Sequence, residues 1–278
     1  MKQQYVQAPV TTAEMISKPV RENILGTYVS ALNMEMALEQ MDFWIKEGIC
    51  NYICVTPAHS IMDGYHHSDL RAIFNASGMT VPDGMAVVWL LKMKGHQSVE
   101  RVYGPDLLMA VCEYGCNKDY RHYFYGGASG VTEKLIHKIS TQIPRLKVAG
   151  AYSPPFRPLT AEEDEAVINA INSSEANILW VGLGSPKQEI WMDEHLGRIN
   201  VPVMVGVGAA FDFLSGNKPQ APLWMQRNGF EWMFRFLHEP KRLYPRYRQY
   251  PKFVFLAMLD LLGLKKFYPD DRLGRQDQ

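Results

Sequence analysis

The chain has 278 residues, 47% hydrophobic and 21% charged, enough apolar material for a sizeable core and too much for wholesale disorder. Lys and Arg number 29 and Asp and Glu number 29, a formal net charge of zero, which argues against a dedicated nucleic-acid binder with its basic excess. The zero is a sum of opposites, because residues 227–278 hold eleven basic against six acidic side chains and residues 1–226 carry the compensating −5.

The four cysteines fall as Cys50/Cys54 and Cys112/Cys116. Zinc sites more often show two residues between paired cysteines, with further ligands beyond, so core packing is the expectation and no metal site is assigned. Nothing resembles disulfide density, which fits a reducing cytoplasm. The opening MKQQYVQAPVTTAEM lacks the apolar stretch of a signal peptide. The apolar run Phe253 to Leu264 contains Asp260 and is short of the roughly twenty residues a spanning helix needs. A chain that stays on one side of the bilayer is expected.

In chain order, residues 1–20 are polar and aperiodic and read as a flexible arm. Strand patterns follow at 52–56, 80–82, 122–125, 146–150, 178–183 and 203–207, and helix patterns at 30–48, 68–76, 104–114, 130–142 and 161–173. The last helix opens on Thr160 with Glu163 three residues on, a capping box. Alternating β and α segments at this spacing imply an α/β fold with a mostly parallel sheet and helices on both faces. From residue 229 the strand signal stops and the chain turns helical, aromatic and basic. The expected division is therefore an arm (1–20), an α/β domain (21–228) and a helical appendage (229–278).

Three of these strands end in glycine-rich turns that open helices: FYGGASGVTEK (124–134) with Gly126 and Gly127, WVGLGSPKQE (180–189) with Gly184, and VGVGAAFDF (205–213) with Gly208. In α/β sheets ligands sit beyond the carboxyl ends of the strands, where glycines admit backbone and helix N-termini favour phosphate. None of the three is a dinucleotide fingerprint or a P-loop. Any one can be a tight β–α turn and nothing more; three together favour a phosphate-bearing ligand.

Asp83, in Val81-Pro82-Asp83-Gly84, stands at a strand end where a general base is useful, although Asp before Gly is also an ordinary turn. Arg101 can pair a phosphate, while Asp106 caps or charges a helix start. Lys187 and Gln188 open the helix after Gly184, with Lys187 readable either as a ligand contact or as a solvated side chain. His59, read as a loop histidine after the first strand, is a ligand contact, an acid–base group or merely solvated. Asp212 faces the same sheet edge and can hold a sugar hydroxyl or buttress its turn. In the tail, Arg235, Arg242 and Arg246 interleave with aromatics. Such composition suits an anionic membrane interface, closure over a diphosphate, or a helical appendage packed on the core. Nucleic acid can use the same residue types, but nothing else in the chain supports it.

The ordered segments PDGMAVVW (82–89), ERVYGPDLL (100–108), FYGGASG (124–130), ILWVGLGSPKQE (178–189), VGVGAAFDFLSG (205–216) and QAPLWMQRNGFEWMFRFLHEPKRL (220–243) resemble the WecG/TagA/CpsF glycosyltransferases. AYSPPFRPLTAEED (151–164) and the segment beyond Leu243 look closer to the exopolysaccharide branch of that family. The resemblance implies a Rossmann-like domain whose C-terminal appendage docks on the cytoplasmic face of the membrane. It implies an inverting enzyme that moves sugar from a UDP-sugar to a polyprenyl-diphosphate-linked sugar. It further implies Asp83 as the base, Gln188 as a second catalytic residue, Arg101 as a substrate-binding residue, and Arg235, Arg242 and Arg246 supplied by the appendage. Thr56 matches the Thr of the Thr-Pro-Asn segment in the teichoic-acid type, but Ala58 stands where that type has Asn, with His59 next. That departure points to a plain hexose such as glucose, with N-acetylmannosamine or its uronate as the alternative and a non-catalytic nucleotide-binding module as a third reading. No obligatory metal is expected, and self-association is left open.

Overall fold

The computed structural model describes residues 19–269, so the expected arm lies, for its first eighteen residues, outside the described ones. Six strands form one parallel sheet: β3 (Asn51–Thr56), β4 (Met79–Pro82), β5 (Arg121–Gly126), β6 (Lys147–Tyr152), β7 (Ile178–Gly182) and β8 (Val203–Gly206), in the order β4-β3-β8-β7-β5-β6. Each coincides with a strand pattern of the sequence. The period of two decides which side chain enters which core. Ile53, Val55, Phe124, Trp180, Val203 and Val205 point to one face. There they meet α1 (Met34–Glu47), α5 (Gly104–Gly115), α6 (Val131–Gln142) and α9 (Ala210–Ser215). Tyr52, Cys54, Tyr123, Tyr125, Leu179, Val181 and Met204 point to the other. There they pack on α3 (Ser68–Ala76), α7 (Ala161–Ser173) and α8 (Lys187–His195). An α/β sheet covered on both faces is therefore what the chain forms.

The helix ends follow local chemistry. Asn33 accepts from Met36 N–H at 3.0 Å to start α1, and Gly48 ends it at φ 65°. Thr160 and Glu163 form the expected capping box at α7, Glu163 N–H donating to Thr160 Oγ1 at 3.2 Å and Thr160 N–H to Glu163 at 2.9 Å.

Three elements escaped the sequence reading. A hairpin of β1 (Arg21–Ile24) and β2 (Thr27–Ser30) turns through Leu25 and Gly26, both at positive φ. Leu is an unusual residue for that position, which hid the turn. The Arg21 guanidinium pins the hairpin to the body by donating to the carbonyls of Phe74, Asn75 and Ser77. The other two, α2 (Ala58–His66) and α4 (Met85–Met93), follow β3 and β4 directly. His59 accordingly lies in the first turn of a helix, not in a loop.

After the sheet come α10 (Leu223–Arg227), α11 (Glu231–His238), α12 (Pro240–Tyr247) and α13 (Tyr250–Leu261). Phe253, Leu256 and Ala257 of α13, with Phe267, join a third core with the hairpin, α2 and α4. The opposite side of α13 leaves Val254, Phe255 and Met258 exposed. All four cysteines are free thiols; Cys54 and Cys112 are buried, and Cys116 Sγ donates to the Cys112 carbonyl at 3.2 Å.

Candidate functional site

The carboxyl ends of β3, β4, β5, β7 and β8 open into one cleft of about 1220 Å³, roofed on one side by α11 and α12. Asp83, His59, Gly127, Gly184, Lys187, Gln188, Gly208, Asp212, Arg235, Arg242 and Arg246 all line it. Residues spread over 188 positions of sequence are thus brought to one edge, because parallel strands place all their carboxyl ends together.

Asp83 sits where β4 runs out. Its N–H donates to the Thr56 carbonyl at 3.4 Å, which ties the turn to the end of β3. Thr56 itself is fully buried, and its Oγ1 donates to the Cys54 carbonyl at 3.1 Å, so its contribution here is through backbone. Burial pushes the Asp83 carboxyl up to about 7, against the pull of Arg101 and with Glu231 adding to the rise. A carboxyl poised near neutrality at the mouth of a cleft is suited to proton transfer.

Arg101 lies behind the cleft wall rather than in it. The N–H of Val102 donates to the Pro82 carbonyl at 2.9 Å, which holds the Arg101 segment beside β4. Its guanidinium lies 4.0 Å over the Tyr103 ring, donates to Asp83 at 3.4 Å and donates to Glu231 of α11 in a short contact. Glu231 also faces Arg235 at 3.7 Å. Two carboxylates and two guanidiniums therefore interlock at this wall. Glu231 was not singled out in the sequence; its only signal was a place one turn before Arg235.

Gln188 spans two loops. Its Oε1 accepts from Gly184 N–H at 3.2 Å and its Nε2 donates to Glu189 at 3.0 Å, with Gly206 and Gly208 packed against its amide. Both ends of the amide are engaged, so the side chain holds the β7 and β8 loops in register. Glu189, fully buried beneath it, is pushed up to about 7 by that burial. Gly184 has φ 78° and nothing within 4 Å of a hypothetical Cβ, an opening toward the cleft. Gly126 is different. A Cβ there would meet the Gly182 backbone at 2.6 Å, so this glycine permits close packing of β5 on β7 and lies under the cleft.

The arginines differ in how their charge is used. Arg242 is engaged by Glu239 in a short contact, and Asp212 pairs Lys218 at 3.2 Å. Arg246 donates to the Ser185 carbonyl at 2.9 Å and, among the described residues, has no carboxylate at ion-pair distance. Arg235 is half-buried, its guanidinium 5.3 Å over the Phe213 ring. His59 is buried 6.4 Å from the Tyr247 ring, and its Nδ1 has no partner. Burial, with Arg246 and Arg235 nearby, pulls its imidazole down to about 3, so it is neutral. Lys187 is exposed at the rim. Among the described residues no group of three or more His, Cys, Asp or Glu side chains is placed to hold a metal ion.

A parallel sheet with glycine loops and arginines converging on its carboxyl edge defines an α/β protein whose cleft is chemically suited to an anionic ligand. The particular family follows from sequence comparison. The profile of the glycosyl transferase WecG/TagA/CpsF family matches residues 22–267, and the chain belongs to that family of glycosyltransferases. It is similar to the N-acetylglucosaminyldiphosphoundecaprenol N-acetyl-beta-D-mannosaminyltransferase of Bacillus subtilis (strain 168), 28% identical over 201 residues that cover 72% of this chain and 76% of the relative. It is also similar to the protein of the same name from Bacillus spizizenii (strain ATCC 23059 / NRRL B-14472 / W23), 31% identical over 184 residues, 66% and 69% of the two chains. Those names describe N-acetylmannosaminyl transfer by the two relatives.

Proposed function

We propose that this glycosyltransferase moves a sugar from a UDP-sugar to a sugar carried on a polyprenyl diphosphate, with inversion at the anomeric carbon. The observation that carries the reading is Asp83, a carboxyl held near neutrality at the cleft mouth beside arginines that can receive a diphosphate. Asp83 takes the proton of the acceptor hydroxyl as that oxygen attacks from the far face of the sugar. Charge then grows on the leaving diphosphate, where Arg246, Arg235 and the amides of the glycine loops stabilise it. Gln188 keeps those loops in place. In this reading the positive residues carry the charge compensation and no metal is obligatory.

The names of the relatives favour N-acetylmannosamine as the sugar moved and a polyprenyl-diphosphate-linked N-acetylglucosamine as its acceptor. A plain hexose, in exopolysaccharide assembly, is a second reading. The unpartnered Nδ1 of the neutral His59 supports it, since His59 lines the cleft beside Ala58, the position where the teichoic-acid type has Asn. The acceptor's lipid places the reaction at a membrane surface, the cytoplasmic face in this reading. Phe255, Met258, Leu262 and Leu264 are exposed beside Lys252, Lys265 and Lys266, a combination suited to anionic headgroups. Among the described residues no helix is long and apolar enough to cross a membrane.

A panel of UDP-sugars run in EDTA against a prenyl-diphosphate-linked N-acetylglucosamine acceptor tests donor and metal together. Turnover with UDP-N-acetylmannosamine supports the first reading, and turnover with UDP-glucose the second. Asp83→Asn should lower turnover by about 10²–10⁴-fold while UDP binding survives. Wild-type turnover should fall as the pH drops below about 7, where Asp83 takes up a proton. Near-normal turnover in Asp83→Asn would sink the base assignment, and UDP binding without transfer to any acceptor would leave a nucleotide-binding module.

A further inference from the structure

Glu231 is a buried carboxylate that opens α11, and the mechanism above gives it no task. It lies 130 residues beyond Arg101 in sequence, yet its carboxylate takes the shorter of the two contacts that the Arg101 Nη2 makes. The contact from the same nitrogen to Asp83 is 3.4 Å, long for a charge-assisted hydrogen bond. Arg101 Nε has no partner, so the guanidinium has little else to satisfy it. We propose that Glu231 is a positioning residue that draws the Arg101 guanidinium toward α11, so that Asp83 is left loosely paired and able to act as a base. The proposal rests on the reading of Asp83 as the base.

The physical argument is competition for one cation. A carboxylate held tightly by a guanidinium is a weak base, because the pair favours its charged form. Glu231 holds Arg101 from the far side and places a second negative charge near Asp83. Both effects loosen that pairing. The groups facing Asp83 are Arg101 and Tyr103 from the segment before α5, Glu231 and Arg235 from α11, and Tyr250 from α13. Of these, Arg101, Arg235 and Glu231 are the charged ones, and Glu231 touches both arginines. The base is thus tuned from the helical appendage, whereas Asp83 and Arg101 both belong to the α/β body. Seating α11 against the body is what brings this tuning carboxylate to the base.

Glu231→Gln keeps the shape and removes the charge. Arg101 is then free to close on Asp83, whose proton affinity falls. The acid limb of the kcat–pH profile, measured with saturating donor and acceptor, should move down by about one pH unit. The plateau rate should drop by about tenfold, as expected of a weaker base, with KM for the UDP-sugar unchanged. Glu231→Asp, which retains the charge one methylene further back, should move the limb in the same direction by less, and serves if the Gln variant fails to fold. A fall in kcat with an unmoved limb, or a limb that moves upward, overturns the proposal, since a merely structural residue would behave in the first way. Asp83→Asn separates the two levels. If that variant is inactive and the limb of Glu231→Gln is unmoved, only the positioning role is lost. If Asp83→Asn turns over near the wild-type rate, the base reading fails and the proposal with it.

Discussion

The two ends of the molecule solve the burial of apolar surface in opposite ways. The six-stranded body buries both faces of its sheet under helices, and side chains such as Phe124, Trp180 and Leu135 have no exposure. The helices from α10 onward are amphipathic in a different sense. They bury Leu243, Phe253, Leu256 and Ala257 but leave Leu237, Val254, Phe255 and Met258 in contact with solvent. The body therefore derives its stability from a closed core. The tail is shaped by what it covers, the cleft on one side, and on the other by an apolar surface that none of the described residues covers. The proposed chemistry divides along the same line, with backbone amides, Asp83 and Arg101 from the body and Glu231, Arg235 and Arg246 from the tail.

This contrast can be broken at three points, in descending order of effect. Leu135→Ala, in α6 between the helix layer and the sheet, should destabilise the protein by about 2–5 kcal/mol, read as a fall in the denaturation midpoint. A loss below about 1 kcal/mol would mean that the body's core is less closed than its burial suggests. Arg246→Ala should lower kcat by about 10²-fold with little change in stability, because the side chain lines the cleft and makes one bond to the Ser185 carbonyl. An unaltered kcat would remove the tail from the chemistry. Phe255→Asp with Met258→Asp should leave stability within about 0.5 kcal/mol, since both side chains face solvent. The pair should reduce co-sedimentation with anionic vesicles by about tenfold. Unchanged sedimentation would mean that this face has no membrane role. Point changes are the cleaner test here, because deleting α13 would also uncover the core that Phe253 and Leu256 help to close.

Much of the body was legible because its signals are local. Strands of the fully buried kind read as continuous apolar runs, and the helices between them carry caps such as Thr160–Glu163. The hairpin was missed because Leu25 occupies a position that usually calls for Asn or Gly, and α2 because Pro57 and Ala58 give no capping signal. In the site, Asp83 and the glycine loops announced themselves by standing at strand ends. The roles of Gln188 and Gly126 did not. Gln188 spends both ends of its amide on the loops, and Gly126 is required by the Gly182 backbone rather than by a ligand. Glu231 was invisible because its partner lies on a distant segment.

The net charge of zero shows the same division. Sequence alone determined the alternation of β and α, the two-sided burial of the sheet, the strand-end positions of the cleft residues and the basic, aromatic character of the tail. All of these depend on residues close in the chain, whose periodicity and capping act over one or two turns. Only the tertiary structure decided that basic residues of the tail turn back over the cleft. It also decided that Glu231 reaches Arg101 and that His59 is buried beside Arg246 and neutral. Those outcomes depend on which charges share a low-dielectric wall, a matter of separation in space that no spacing along the chain encodes.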